Sequence, residues 1–250
     1  MCTVVILRRP GHDWPLILAA NRDEMADRAW RAPGRHWPDR AEITAGLDEE
    51  ADGTWLGLND WGVIAAVLNR PGSLGPDPDK RSRGELPLEA LDHAEAAVAA
   101  DALAAIDPAS YRSFNMVIAD AAQAFWLCSL GNGAPVRSQA IGEGLSIITA
   151  HDLNDTTSRR IRHYKPLFEA ASPPDVENGD WTEWRTLLAD RQEDAEHEEK
   201  DGMTIVTKGG FGTVSSSLLA LPAPERFGVK PRWLFAPGRP DAADYEAVET

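Results

Sequence analysis

Strand-forming runs come in blocks along this chain, and helix-forming runs come in separate blocks between them. Strict strand–helix alternation builds a parallel sheet, whereas blocks build antiparallel sheets covered by helices, so the pattern predicts an α+β layered fold. The first block sets the geometry of everything near the N-terminus. Residues 3–8 (TVVILR) and 16–21 (LILAAN) are apolar, and the RPGHDWP segment between them carries strong turn residues, which reads as a β-hairpin. If Arg8 pairs with Leu16, the same register sets Cys2 opposite Arg22, with Asn21 and Asp23 as diagonal neighbours within about 7–8 Å. A one-residue slip changes which of these shares a face with Cys2 but leaves them close.

Residues 52–59 and 62–69 read as a second hairpin around Asp60-Trp61-Gly62, followed by a Pro/Gly/Asp loop over 70–80. The Ala/Leu/Glu-rich stretch 84–107 reads as two helices broken near Asp92-His93. Strand patterns recur at 113–120, 124–129, 145–149, 213–221 and 232–235. Residues 157–171 read as a helix with Ile161, Tyr164 and Phe168 on one face, kinked by Pro166, and another helical stretch starts at Trp181. The expected total is about nine or ten strands and three or four helices in one domain over residues 1–250, since composition does not break along the chain. The glycine-rich Lys208-Gly209-Gly210-Phe211-Gly212 leads into a strand rather than a helix, which makes a poor phosphate loop. Seven carboxylates between Asp190 and Asp201 read as a solvated face or mobile loop.

Charge excludes several functions. With 25 Lys+Arg against 40 Asp+Glu the formal net charge is −15, so nucleic acid and anionic lipid are repelled by the molecule as a whole. No apolar run approaches the roughly 18 residues of a membrane span, and the N-terminus places apolar residues before Arg8-Arg9, the reverse of a secretory signal. Cys2 and Cys128 make no disulfide framework, so a cytoplasmic location is expected. The six His are scattered singly and no metal-ligand spacing occurs. No residue marks a bound cofactor, and none is required.

Two groups of residues carry the chemistry. Cys2 becomes the first residue if Met1 is excised, which a small second side chain allows, and its thiol then sits beside a free α-amine. Such an amine has an ordinary pKa of about 7.7–8.0, so it can act as base for its own side chain. The polar Asn21-Arg22-Asp23-Glu24 run, directly after an apolar strand, lies beside Cys2 by the hairpin register. There Asp23 would orient the amine, Arg22 would hold a substrate carboxylate or an internal ion pair, and Asn21 would donate to an oxyanion.

Several motifs recur in order: Met1-Cys2, Leu18-Ala19-Ala20-Asn21-Arg22-Asp23-Glu24, Gly53-Thr54-Trp55-Leu56-Gly57, Ser82-Arg83-Gly84-Glu85-Leu86, Phe114-Asn115, and Gly212-Thr213 with Ser215-Ser216-Ser217. In this the chain resembles the NRDE family, whose animal members are called transport and Golgi organisation proteins. The resemblance implies a four-layer αββα N-terminal-nucleophile hydrolase fold, two antiparallel sheets between helical layers. It also implies two functional alternatives, a cysteine hydrolase of a non-peptide amide or thioester, or a non-catalytic carrier of haem or an acyl compound, either way a partner of small molecules. More distantly, the chain is similar to choloylglycine hydrolases and penicillin V acylases, which begin Met-Cys and carry Arg-Asn-x-Asp at the end of the second strand. Asn21 and Asp23 match that run, while Ala20 stands at the Arg position. Where such proteins have an Asn after a later strand, this chain aligns His151, leaving His151, Asn69 and Asn154 as alternative oxyanion or substrate contacts, with Arg83 of the Ser-Arg-Gly-Glu-Leu motif as a further substrate-binding candidate.

Overall fold

The computed structural model describes residues 2–75, 77–191 and 201–250. Its elements in chain order are β1 (Thr3–Arg8), β2 (Leu16–Met25), β3 (Trp30–Gly34), β4 (Ile43–Asp48), β5 (Leu56–Asn59), β6 (Ile64–Asn69), α1 (Glu85–Leu91) and α2 (Ala96–Ala104). There follow β7 (Phe114–Ala119), β8 (Ala124–Ser129), β9 (Arg137–Ala140), β10 (Gly144–Ile148), α3 (Arg159–Ala170), α4 (Thr182–Ala189), β11 (Phe211–Leu221), β12 (Arg232–Ala236) and β13 (Glu246–Ala247). They form two antiparallel sheets. One has the order β10-β1-β2-β11-β12-β13, the other β3-β4-β5-β6-β7-β8-β9.

Alternation along the strands makes the layers. On β1, Val4 and Ile6 face inward, where they meet Leu58 and Ala66 of the second sheet, while Val5 and Leu7 face outward onto Ile161, Tyr164 and Phe168 of α3. The outer face of the second sheet, including Ala65, Met116 and Ile118, packs on Leu86, Leu91, Ala99 and Leu103 of α1 and α2. Both sheets are thus apolar on both faces, and the order is helix, sheet, sheet, helix. The Ser158 hydroxyl caps α3 by accepting from the Ile161 N–H, and the helix continues through Pro166 to Ala170.

The first hairpin has the expected register, Arg8 opposite Leu16 and Thr3 opposite Asn21. Its second strand is central, with β11 on its far side. Four strands exceed the sequence expectation. β3 contains Pro33 and Gly34, β4 contains Gly46, β9 is exposed at all four residues, and β13 is two residues long, so none shows a buried alternation. The strand expected from Asp52 begins only at Leu56. Upstream of it, Gly53 bridges to Asp48 and Thr54 donates its N–H to Gly84 at 2.9 Å, so that stretch joins a loop crossing instead. Five of the seven carboxylates between Asp190 and Asp201 lie outside the described residues. Of the other two, Asp190 accepts from the Tyr164 hydroxyl at 2.7 Å and Asp201 from Arg159 at 3.1 Å.

Candidate active site

Cys2 stands just before β1, on the inward face of the first sheet, at the end of the layer between the two sheets. It is a free, half-buried thiol. Its Sγ accepts from the Asp23 N–H at 3.4 Å and lies 3.6 Å from the Asp23 carbonyl oxygen, so the sulfur rests on the backbone where β2 passes it. Burial pushes the thiol pKa up, the Asp23 charge pushes it further, and the Asp23 N–H and the Arg22 cation pull the other way. The thiol is therefore held protonated, and a base must take its proton. In protein that keeps Met1, modification of Cys2 by a haloacetamide is expected to rise at higher pH than for an exposed cysteine, which titrates near about 8.5. Coincident pH profiles would contradict this.

Cys2 opens onto a cavity of about 240 Å³ that Arg22, Asp23, Trp55, Asn69 and Arg83 also line. Arg22 alternates onto the inward face with Cys2. Its guanidinium lies 3.9 Å from the centroid of the Trp55 ring, a cation–π stack, and reaches Asp48 at 3.5 Å. Trp55 in turn packs against Gly46, where a Cβ would come within 2.3 Å of the ring. The loop after β4 and the segment before α1 touch backbone to backbone at Gly53 and Gly84, where a Cβ on Gly53 would fall 2.6 Å from the Gly84 carbonyl carbon. This crossing brings Trp55 and Arg83 to the same cavity and gives a physical reason for the glycines in both motifs.

The Asp23 carboxylate is held from the helical side of the sheet. Its Oδ1 accepts from the Thr213 hydroxyl at 2.6 Å, and Oδ2 lies 3.6 Å from Arg160 of α3, which also donates to the Thr3 hydroxyl at 2.8 Å. A β-bulge between Thr213 and Ser215 turns Thr213 to the same face as Asp23. The Thr213 oxygen accepts from the Ile205 N–H at 2.8 Å, so its own proton is directed to Asp23.

Three residues expected in the site are placed elsewhere. Asn21 faces the helical side, where its Nδ2 donates to the carbonyls of Leu188 (3.0 Å) and Met203 (2.9 Å) and its Oδ1 accepts from Ser216 (2.6 Å). Both amide protons are used, which corrects its assignment as an oxyanion donor. Asn154 has a positive φ of 56°, accepts from the Ile147 N–H and donates to Ser146, so it shapes the loop after β10. His151 sits 3.8 Å from Asp155, and neither it nor Asn154 lines the cavity. Asn69, at the end of β6, does line it, and its side-chain amide makes no hydrogen bond among the described residues. Asn21→Ala is accordingly expected to cost about 2–4 kcal/mol of stability, from buried carbonyls left without donors, and to leave Cys2 reactive. A stable variant with an inert Cys2 would restore a chemical role for Asn21.

Sequence reasoning missed Trp55 as a site residue, and with it Asp48, Arg28, Arg112, Thr213 and Arg160. Trp55 and Thr213 lay inside quoted motifs. Arg160 had no signal beyond standing four residues before Tyr164 on the buried face of α3.

The architecture has counterparts of known structure. An N-acylethanolamine-hydrolyzing acid amidase ortholog from Caenorhabditis elegans superposes with a TM-score of 0.57 at 12% identity, over 90% of this chain and 94% of its own. Penicillin V acylase from Agrobacterium tumefaciens gives 0.53 at 12% identity, over 94% and 83% of the two chains. At such identities the likeness shows the fold, and the fold is that of the N-terminal-nucleophile hydrolases. Residues 1–226 match the transport and Golgi organisation 2 family, and the chain belongs to that family. Relatives include the transport and Golgi organization 2 homolog of Mus musculus, 37% identical over 110 residues, and that of Bos taurus, 32% identical over 160 residues. The matches cover 42% and 61% of this chain and 38% and 56% of those relatives. Among the described residues, no helix is long and apolar enough to cross a membrane, and no group of three or more His, Cys, Asp or Glu could hold a metal ion.

Proposed function

We propose that this chain is an N-terminal-nucleophile cysteine hydrolase acting on a non-peptide amide or thioester. The carrying observation is the position of Cys2, a half-buried thiol at the end of the inter-sheet layer that opens onto a cavity large enough for a small substrate. With Met1 excised, the α-amine takes the thiol proton, Sγ bonds to the substrate carbonyl carbon, and the carbonyl oxygen becomes an oxyanion. Asn69 is the side-chain amide available to that oxyanion, and Asp23, fixed by Thr213 and Arg160, orients the ammonium. Collapse breaks the C–N or C–S bond as the ammonium returns its proton to the leaving nitrogen or sulfur. Water then attacks the acyl–Sγ thioester, the carboxylic acid leaves, and the thiol recovers its proton. The names of the structural neighbours, an acid amidase and an acylase, support this class of reaction. A cytoplasmic location would keep Cys2 as the thiol the reaction needs.

The test is incubation with a panel of amides and thioesters followed by intact-mass measurement. An added acyl mass on Cys2, lost again with time, is expected. No adduct with any member, in protein shown to lack Met1, would contradict the proposal.

A second reading is a carrier that holds haem or an acyl compound in the same cleft without turnover, and Ala20 at the acylases' Arg position favours it. The residues present fit haem poorly. Among the described residues no His lines the cavity and Cys2 is the one His or Cys donor there, and about 240 Å³ lies below the size of pockets that enclose drug-sized ligands. An acyl ligand suits the cleft better. A saturable Soret shift lost in Cys2→Ala would favour haem; binding no tighter than to an unrelated acidic protein would count against it.

A further inference from the structure

The cleft has the opposite sign to the molecule. The chain carries a net −15, yet the side chains lining the Cys2 cavity include six cations and four carboxylates. Pairing sorts the cations. Arg28 is bound to Asp48 at 2.8 Å and Glu50 at 3.0 Å, and Arg81 to Glu85 and Glu89. Arg22 is different. It is 5% exposed, the Asp48 oxygen it reaches at 3.5 Å is already held more closely by Arg28, and its buried Nη1 has no hydrogen-bond partner among the described residues.

Arg83 is different in the same way. It donates to the Ser73 hydroxyl at 2.7 Å and the Ser113 carbonyl at 3.2 Å, both neutral, and no carboxylate pairs with it among the described residues. Arg112, bonded to the carbonyls of Leu74 and Gly75, adds positive charge nearby. Burial, and then the Arg112 charge, pull the Arg83 pKa down to about 10, which still leaves it a cation at neutral pH. A desolvated cation that shares its carboxylate with a closer partner, as Arg22 does, or pairs with none among the described residues, as Arg83 does, is costly unless a ligand supplies the anion. Arginine presents a fork of donors suited to carboxylate and phosphate oxygens.

We propose that the Cys2 cavity takes a small acyl compound bearing a carboxylate or a phosphate, whose anionic group binds at Arg22 and Arg83. This rests on the reading of Cys2 as the nucleophile only for the chemistry, not for the binding. The negative exterior repels polyanions, while the recessed positive patch admits a small anion, so the same field that excludes nucleic acid filters for compact substrates.

Two measurements test this. In Cys2→Ala protein, calorimetric titration compares N-butanoylglycine, its neutral methylamide, and N-butanoylaminomethylphosphonate. At least one anion should bind tenfold or more tighter than the methylamide, the better of the two identifying the source of the charge. Arg83→Gln should abolish the preference and Arg83→Lys should restore part of it. Equal binding of the neutral and anionic compounds would overturn the proposal, and that comparison needs no Arg83 variant to fold. In the unmodified protein, the ratio of Cys2 alkylation rates with iodoacetate and iodoacetamide should exceed the ratio for glutathione at least tenfold. A ratio equal to that of glutathione would likewise overturn it. A Cys2 that neither reagent modifies would count against the nucleophile alone, while the titration still decides the anion site.

Discussion

Inserting one Glu between Met1 and Cys2, which blocks excision and keeps the thiol, should slow acyl-enzyme formation at Cys2 by about 10²–10⁴-fold, the usual worth of a positioned general base. The reason lies in the state of the thiol. Burial and the Asp23 charge hold it protonated, and among the described residues no His lines the cavity to take the proton. The α-amine of a processed Cys2 is then the base within reach, and its ordinary pKa of about 7.7–8.0 leaves a useful fraction unprotonated near neutrality. Extending the chain converts that amine into an amide N–H, which cannot accept a proton. Acylation measured by intact mass with an activated thioester gives the rate directly. Equal rates for the extended and native chains would mean that the thiol finds its base elsewhere.

Arg160→Ala should cost about 3–5 kcal/mol and lower the melting temperature by roughly 6–20 °C. Arg160 is 5% exposed and reaches across the sheet to Asp23, whose side chain is fully buried, and to Thr3. Truncating it leaves a buried carboxylate with a cation removed and a buried hydroxyl without its donor. The carboxylate would respond by taking up a proton or drawing in water. Either response disturbs the group proposed to orient the α-ammonium, so acylation should weaken together with stability. A change below about 1 °C by thermal melting would show that Asp23 does not depend on Arg160.

The hairpin that places Cys2 against Asn21-Arg22-Asp23 is legible because two apolar runs are joined through strong turn residues, and a one-residue slip in register would still leave these residues close. The helices were legible by composition and period, including the break between α1 and α2. What escaped detection has a common cause. β9 and β13 have no buried face to alternate, and Pro33, Gly34 and Gly46 weaken the strand pattern of β3 and β4. At the site, adjacency along the chain misled. Asn21 and Arg22 are neighbours in sequence, but alternation sends one to the helical layer and the other to the cleft. The long-range partners Thr213 and Arg160 depend on a bulge and on a helix docking across the sheet, neither of which has a local pattern.

Fold and family are set by the layered sheets and the match over residues 1–226; the chemistry turns on the residue that follows Met1. Intact-mass analysis of the purified full chain, with peptide mapping after a limiting dose of haloacetamide, examines that residue most directly. The account predicts a mass lacking Met1 and modification of Cys2 ahead of Cys128, which is 1% exposed within the core. Retention of Met1, with Cys2 modified no faster than Cys128, would contradict it.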